Sequence, residues 1–228
     1  FRSGKYLSAG EGGAVFSGNE ELRDRIRKSI QSLQDRPKLS ELAHTSKTYI
    51  RSKLRSKPLY GLVGHQMWAF YNKTTDHTAK ATLRVNRIYR SDHSIAQKRL
   101  NTIDKAITKQ RNNAGFYTDN LILSQNMTCM EKTGMFYNRY IYPILFPIAQ
   151  QRDLIYDYMY KHGIGTIKPY HDIPSIAKKY YQYKGDCPLS ESIAERVLAI
   201  PNHFNITRKE HQHIVSTLNK GWTLLSQQ

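Results

Sequence analysis

A glycine-rich run near the start of the chain, Gly10–Gly13, constrains the local fold more than any other sequence feature. The short apolar segment Ala14–Phe16 follows it, with glycines near both ends, which is typical of a short buried strand. Asn19 then precedes two acidic residues and a helical apolar repeat, so we expect it to be the N-cap of an amphipathic helix over residues 20–33. The start of the chain is therefore predicted to be a loop, a strand and a helix.

The middle of the chain contains one long helical pattern. Apolar side chains recur on a single face from about residue 92 to residue 122, which is longer than an ordinary globular helix and suits a strut between domains. The preceding stretch, residues 38–85, is basic and contains Pro58. There we expect one or two helices followed by an irregular excursion.

The last hundred residues mix strand and helix patterns, which predicts a compact α+β unit. A Tyr/Ile-rich stretch over residues 138–146 favours a strand, and Pro143 within it indicates a sheet edge or a bulge. A helix is expected over residues 149–162, with Gly163 placed to end it.

Two later helices carry the Ser/Thr-x-x-Glu spacing of a capping box in their first turns. One is expected over residues 190–200, and the other over residues 207–220 with Gly221 placed to end it. The capping pairs are Ser192 with Glu195 in the first helix and Thr207 with Glu210 in the second.

Composition limits the class of protein. With 39% hydrophobic and 23% charged residues, the chain can bury a core. No stretch approaches the ~20 consecutive apolar residues of a membrane helix, so no membrane span is expected. Cys129 and Cys187 lack CxxC or Cys/His spacing, which predicts ordinary thiols in a cytoplasmic protein. His211 and His213 would not face each other on a helix, so no metal site is expected.

The net charge is +17, from 35 Lys+Arg and 18 Asp+Glu. Such a charge suits nucleic acid, an anionic membrane surface or a phosphorylated ligand as partner. The basic residues are spread along the chain, however, and the densest patch, Tyr49–Lys57, is more typical of a solvated helix face. A basic nucleic-acid-binding module is therefore kept only as an alternative.

Lys5 is the first candidate for a catalytic or ligand-binding residue. It precedes Gly10 by five residues, on a loop whose glycines let the backbone pass close to a bound group. A lysine in such a place serves as a phosphate contact, as a Schiff-base nucleophile or simply as a surface residue. The local pattern leaves these three alternatives open.

Residues 1–15 resemble the cofactor-lysine segment of the DegT/DnrJ/EryC1/StrS family of pyridoxal-phosphate-dependent sugar aminotransferases, in which Gly-(Glu/Asp)-Gly-Gly follows the lysine. Later blocks that match the family in the right order are Asn86-Arg87-Ile88, Leu100 to Arg111, Tyr142-Pro143-Ile144, Arg152-Asp153-Leu154, Gly163–Thr166, Gly185–Pro188 and Val197–Pro201. The resemblance covers residues 1–35 and 86–222, while residues 38–85 match poorly.

The resemblance implies an α/β fold of the fold-type I aminotransferase class, assembled as a homodimer around pyridoxal 5'-phosphate. Residues 1–122 would be the C-terminal part of the large cofactor-binding domain with its long linking helix, and residues 123–228 the small α+β domain. The implied activity transfers an amino group from an amino-acid donor to a keto sugar, expected to be linked to a nucleotide.

The resemblance also implies roles for individual residues. Lys5 holds the position of the lysine that condenses with the cofactor aldehyde and later moves a proton. Asn86 holds the position of an amide that reaches the cofactor phosphate in the partner subunit, although a loop Asn that caps the long helix is the alternative. Tyr170 and His171 lie where relatives have a loop near the sugar, and an ordinary surface loop is the alternative there.

The sequence also departs from the family pattern. In relatives, the phosphate loop, the ring-stacking aromatic residue and the pyridine-binding Asp all precede the lysine, and this sequence does not contain them. We therefore expect an N-terminally truncated chain that by itself binds the cofactor weakly. The alternative is a non-catalytic fragment or scaffold of the same family, kept for dimerisation or for a regulatory contact.

Overall fold

The computed structural model describes residues 5–54, 56, 59–64, 66, 67, 70, 86–128 and 131–227. The chain divides into two compact units, Phe1–Ile103 and Asp104–Gln228. The predicted assignment of residues 1–122 and 123–228 to a large and a small domain stays a prediction. Among the described helices, none is long and apolar enough to cross a bilayer.

The described part of the first unit is helical. Its helices are α1 (Glu20–Gln31), α2 (Lys38–Leu54) and α3 (Arg90–Leu100), with a π-helical turn at Tyr60–Gly64. Asn19 is the N-cap of α1, as predicted, because its side-chain oxygen accepts a hydrogen bond from the Leu22 N–H at 2.9 Å. Helix α2 confirms a helix in the stretch 38–85, and the irregular excursion expected later in that stretch falls largely on residues outside those that the structure describes.

The strand predicted at Ala14–Phe16 is wrong. The segment has no regular structure, and Val15 and Phe16 are 70% and 90% exposed. A strand is stable only when a neighbour accepts and donates its backbone hydrogen bonds. In the part of the chain that the structure describes, no strand runs beside this segment.

The single long helix predicted from residue 92 to residue 122 is also wrong. Helix α3 ends at Leu100, and a second helix, α4 (Ile103–Asn120), begins after two turn residues. The Thr102 hydroxyl and its N–H both donate to the Arg99 carbonyl, at 3.2 and 3.1 Å, in place of a continued helical ladder. The apolar stripe concealed this break because its periodicity resumes on α4.

The second unit packs helices on a two-stranded sheet. Its strands β1 (Tyr142–Leu145) and β2 (Val197–Ile200) pair antiparallel, with Tyr142 opposite Ile200 and Leu145 opposite Val197. The remaining elements are a 3₁₀ turn at Gln125–Met127 and helices α5 (Ala149–Lys161), α6 (Ile173–Tyr181), α7 (Pro188–Arg196) and α8 (Arg208–Ser226). The expected α+β character of this part of the chain is confirmed.

The core of the second unit lies between the sheet and helices α4, α5 and α8. The side chains that are fully shielded from solvent there include Tyr117, Ile144, Ile155, Met159, Leu198 and Leu218. Burial of each large apolar side chain contributes roughly 1.5–3 kcal/mol, so this cluster is the main source of stability for the unit.

Two local signals of the sequence are confirmed in this unit. Thr207 and Glu210 form the predicted capping box: the Glu210 N–H donates to Thr207 Oγ1 at 3.3 Å, and the Thr207 N–H donates to Glu210 Oε2 at 2.8 Å. Gly163 follows α5 with φ +76°, the left-handed conformation that favours glycine at a helix end.

Other helix limits differ from the prediction. Helix α7 begins at Pro188 and ends at Arg196, and no side chain caps it, so the predicted box of Ser192 and Glu195 is wrong. The expected end at residue 200 is wrong because Val197–Ile200 forms β2, in which every residue is buried. Helix α8 continues past Gly221 to Ser226, so Gly221 does not end it.

Candidate active site

The loop after Lys5 has a conformation that requires glycine. Lys5 lies in an exposed turn, and Gly10 and Gly12 adopt φ values of +126° and +107°. Side chains rarely tolerate this region of backbone conformation. The glycines that drew attention in the sequence are therefore needed for the shape of the loop.

One buried carboxylate lies directly against this loop. Asp92, in the first turn of α3, is 1% exposed. Its Oδ2 accepts a hydrogen bond from the Glu11 N–H at 2.9 Å and lies 2.9 Å from His44 Nε2 on α2. A Cβ added to Gly10 would lie only 2.5 Å from Asp92 Oδ1, so glycine at this position also permits the close approach.

A cleft of about 550 Å³ lies beside the loop. Gly12 and Gly13 line it, together with the end of α1, Arg36 and the segment Asn86–Arg90 that leads into α3. The cleft thus joins the glycine-rich loop to Asn86, two features that are more than 70 residues apart in the sequence.

Arg87 has a structural role at the edge of this cleft. Its Nη2 donates to the Gln31 carbonyl at 2.6 Å, its Nε donates to the Ile30 carbonyl at 3.4 Å, and its Nη1 pairs with Asp35 at 2.9 Å. These carbonyls belong to the last turn of α1, where the helical ladder ends, and the Ile30 carbonyl also accepts the Leu33 N–H at 3.2 Å. Arg87 is therefore used to close α1 and to neutralise Asp35.

Glu41 of α2 occupies the N-terminus of α3. Its carboxylate accepts hydrogen bonds from the Arg90 N–H at 3.2 Å, the Ser91 N–H at 3.0 Å and the Ser91 hydroxyl at 2.8 Å. Burial raises the pKa of Glu41, but the hydrogen bonds from Ser91 and Arg90 outweigh it and hold that pKa below its ordinary value. The carboxylate is thus kept ionised beside the positive end of the helix.

Arg36 and Arg90 remain as cations facing the cleft. Arg36 donates through Nε to the Arg87 carbonyl at 3.2 Å, and its guanidinium carbon lies 4.5 Å from the centre of the Tyr89 ring. The Arg90 guanidinium makes no hydrogen bond or ion pair with the described residues. Planar guanidinium groups with free N–H donors bind carboxylate and phosphate oxygens.

Asn86 lies half-buried in the wall of the cleft. It does not cap the following helix: the N-cap of α3 is Tyr89, and Glu41 supplies the carboxylate there. The alternative of a helix-capping Asn is therefore wrong, and Asn86 lines the same cleft as Arg36 and Arg90.

Tyr170 and His171 lie in the second unit, in the turn before α6. Both are exposed, Tyr170 by 66%, and Tyr170 has φ +66°. The neighbouring Lys168 Nζ lies 2.5 Å from Asp153 Oδ1 and 4.4 Å from the Tyr156 ring centre. Lys168 therefore fixes one end of the turn to α5 and leaves Tyr170 and His171 open to solvent.

Asp153 is the anchor of this turn. Burial raises its pKa, but the hydrogen bond from Lys168 and the charge of Arg152 outweigh burial, so the pKa lies below its ordinary value. The carboxylate is ionised near neutral pH and holds Lys168 in an ion pair.

The structure divides the four predicted site residues between its two units, and Lys5 is not among the residues that line the cleft with Asn86. Lys5 and Asn86 belong to the first unit, and Tyr170 and His171 to the second. Sequence reasoning missed His44 and Asp92. Asp92 resembled an ordinary first-turn acid, and His44 lies in the stretch with the poorest family match, so no local signal joined them.

The chain also matches known proteins. A family model described as the DegT/DnrJ/EryC1/StrS aminotransferase family matches residues 1–219. No curated protein matches the sequence closely enough to count as a relative.

Solved structures share the fold. A DegT DnrJ EryC1 StrS aminotransferase from Brucella abortus has a TM-score of 0.63 at 18% identity, over 96% of this chain and 49% of its own. DesV from S. venezuelae, in complex with a ketimine intermediate, has a TM-score of 0.63 at 20% identity, over the same shares. The PMP form of the putative sugar aminotransferase Spr1654 from Streptococcus pneumoniae has a TM-score of 0.55 at 17% identity, over 64% of this chain and 38% of its own.

These likenesses concern the fold, and the chain spans between 38% and 49% of the lengths of these three structures. They confirm the predicted fold class, part of a fold-type I aminotransferase fold. The family match extends from the lysine segment through the cleft and the sheet of the second unit to residue 219. The chain therefore belongs to the DegT/DnrJ/EryC1/StrS aminotransferase family.

Proposed function

We propose that this chain is the part of a pyridoxal-phosphate-dependent sugar aminotransferase that carries the cofactor lysine, and that Lys5 is that lysine. Family members depend on this cofactor. The observation that carries the assignment is the loop geometry: Lys5 is followed by Gly10 and Gly12 at positive φ, on a loop that enters a cleft shared with Asn86.

The residues present fit the two polar parts of the cofactor. An exposed amine at Lys5 suits an aldehyde, with which it condenses by loss of water. Asn86 and Arg90 line the cleft beside the glycine-rich loop, and their amide and guanidinium groups suit the anionic oxygens of a phosphate, which for Asn86 is that of the cofactor in the partner subunit. When bound, the cofactor supplies that aldehyde and a conjugated ring that withdraws electrons.

The chain's own residues then have distinct tasks. Lys5 Nζ moves the proton that the amino donor loses from its α-carbon, as a general base and then as a general acid. Asn86, Arg36 and Arg90 bind and orient an anion. Asp153 and Lys168 fix the turn that presents Tyr170 and His171, which contact the sugar or its diphosphate.

We propose a nucleotide-linked keto sugar as the acceptor and an amino acid as the donor. The net charge of +17 supports a diphosphate-bearing substrate, because a basic protein attracts anionic ligands. A homodimer and a cytoplasmic location complete the proposal, and both rest on the family resemblance alone.

The test of Lys5 is covalent trapping. The purified chain is mixed with pyridoxal phosphate and reduced with borohydride, and the peptides are mapped by mass. We expect the adduct at Lys5, and its loss in Lys5→Ala. Lys47→Ala, at an exposed lysine on α2, is the matched control and should retain the adduct.

Two results would contradict the assignment. One is labelling scattered over many lysines. The other is an unchanged absorbance spectrum in Lys5→Ala. Either result would favour a non-catalytic member of the family, kept for dimerisation or for a regulatory contact.

A further inference from the structure

The first unit contains a buried acid that the proposed chemistry does not use. Asp92 is 1% exposed, and in the described part of the chain its Oδ1 has no hydrogen-bond partner. Its Oδ2 has two partners, the Glu11 N–H and His44 Nε2, each at 2.9 Å. A buried carboxylate is tolerated only with such partners, because removing the charge from water is costly.

His44 is held in place for this contact. Its ring stacks on Tyr89, with 3.7 Å between ring centres and 6° between planes. The Tyr89 hydroxyl lies 3.3 Å from Ser40 Oγ, one turn before His44 on α2. Since the carboxylate can only accept, the nitrogen that faces it, Nε2, must be the donor. The stack therefore fixes the direction of an N–H bond toward Asp92.

The other side of Asp92 meets the loop after Lys5. The carboxylate accepts the Glu11 N–H and fills the space that a side chain at Gly10 would occupy. Loops are the least stable parts of a fold unless their backbone groups are bonded to the rest of the protein. This one is bonded to α3 directly, and to α2 through His44.

We propose that Asp92 and His44 are positioning residues that fix the backbone of Gly10 and Glu11, and thereby the segment that carries Lys5. His44 lies on α2 and Asp92 on α3, so the contact joins two helices of the first unit to the loop. The inference rests on the proposed function only for the role of Lys5. The contact of Asp92 and His44 with the Glu11 backbone, called the clamp below, is tested separately.

The first experiment measures amide hydrogen exchange of the full chain. Asp92→Asn removes the charge at constant size, and His44→Phe keeps an aromatic ring for Tyr89 but removes the donor. We expect exchange at the Glu11 amide to rise roughly tenfold or more in both variants. His93→Phe, at an exposed position next to Asp92, is the matched control and should leave that exchange unchanged.

A conservative variant separates positioning from loss of fold. His44→Gln supplies an amide donor without the ring and should restore part of the protection that His44→Phe loses. Exchange in α4 should stay as in the wild type in every variant. If Asp92→Asn does not fold, the pair His44→Phe and His44→Gln carries the test.

The second experiment is borohydride trapping at Lys5 in the same variants. We expect a lower yield of adduct at Lys5 in His44→Phe, and recovery in His44→Gln. Unchanged Glu11 exchange in both Asp92→Asn and His44→Phe would overturn the clamp. Raised exchange with an unchanged adduct yield would overturn its role in positioning Lys5. No adduct in the wild type would instead be a failure of the proposed function, and the exchange result would still decide the clamp.

Discussion

The side-chain amides of Gln110 and Asn202 each donate a hydrogen bond to the main-chain carbonyl of the other residue. Gln110 Nε2 donates to the Asn202 carbonyl at 2.6 Å, and Asn202 Nδ2 donates to the Gln110 carbonyl at 3.3 Å. Both residues are buried, and Asn202 Nδ2 also donates to the Arg139 carbonyl at 2.7 Å. The pair joins α4 to the segment that leaves β2, across 92 residues of sequence.

Asn202→Ala should therefore destabilise the second unit. The change removes the two hydrogen bonds that the Asn202 amide donates to the carbonyls of Gln110 and Arg139, and each lost hydrogen bond costs about 0.5–1.5 kcal/mol. We expect the free energy of unfolding to fall by about 2 kcal/mol, measured by urea denaturation. Asn112→Ala, at an exposed position on α4, is the control. Equal urea midpoints for Asn202→Ala and Asn112→Ala would show that these hydrogen bonds do not stabilise the unit.

Gly221→Ala should destabilise the protein although the position is inside a helix. Alanine favours a helix by about 1 kcal/mol over glycine. Its Cβ, however, would lie 2.8 Å from Tyr158 Cδ1 and 3.2 Å from Ile155 Cδ1 in the core. Overpacking of this kind costs about 1–3 kcal/mol, so we expect a net loss of stability in thermal unfolding.

Gly115→Ala provides the matched control for this substitution. Gly115 is exposed within α4, and an added Cβ would meet no described atom within 4 Å. This variant should gain up to about 1 kcal/mol from helix propensity alone. A stabilising Gly221→Ala would mean that Tyr158 and Ile155 move aside at little cost, contrary to the close packing described above.

Stability should fall as the pH is lowered, in part because of His211. Burial lowers its pKa, and the charge of Lys109 lowers it further, with an opposing contribution from Glu210. The unfolded chain takes up the proton near pH 6.5 while the folded protein does not. The unfolded state thus binds more protons, so stability is lost as the pH falls below that value.

His211→Phe should weaken this pH dependence. Phenylalanine keeps an aromatic ring beside Phe116 and Tyr117, whose ring centres lie 5.4 and 5.2 Å from that of His211. We expect the loss of unfolding free energy between about pH 7 and about pH 5 to be smaller in this variant. Identical pH profiles in His211→Phe and the wild type would refute the assignment.

Arg87→Lys should loosen the end of α1. A lysine has no planar fork, so it cannot reach the carbonyls of Ile30 and Gln31 and the Asp35 carboxylate together. We expect faster amide exchange in the last turn of α1. Arg25→Lys, at an exposed site on the same helix, should leave it unchanged. Faster exchange in both variants would point to helix propensity rather than to the three contacts.

Asn86→Asp should weaken cofactor binding without affecting α1. A carboxylate facing the cleft repels a phosphate and removes the amide donor, so we expect roughly tenfold weaker pyridoxal phosphate binding, measured by titration of the trapped adduct. Asn86→Ala should weaken binding less, because it removes the donor without adding a charge. Pyridoxal phosphate binding as tight as in the wild type, in both variants, would exclude Asn86 as a phosphate contact.

Three features that depend on residues within about four positions of each other were predicted correctly from the sequence. The Asn19 cap, the Thr207–Glu210 box and the Gly163 helix end each depend on a side chain or a backbone conformation within one turn. Such interactions are the same wherever the helix packs. The order of the family blocks likewise gave the family, and with it Lys5 and Asn86 as candidates.

The tertiary structure decided the features that depend on distant partners. Val197–Ile200 is a strand because β1 is available to pair with it, and Ala14–Phe16 is not a strand because no described neighbour pairs with it. Gly221 is required by the Tyr158 ring and not by a helix end. His44 and Asp92 meet across 48 residues. Local sequence carries no record of such pairings, because their free energy comes from groups that only folding brings together.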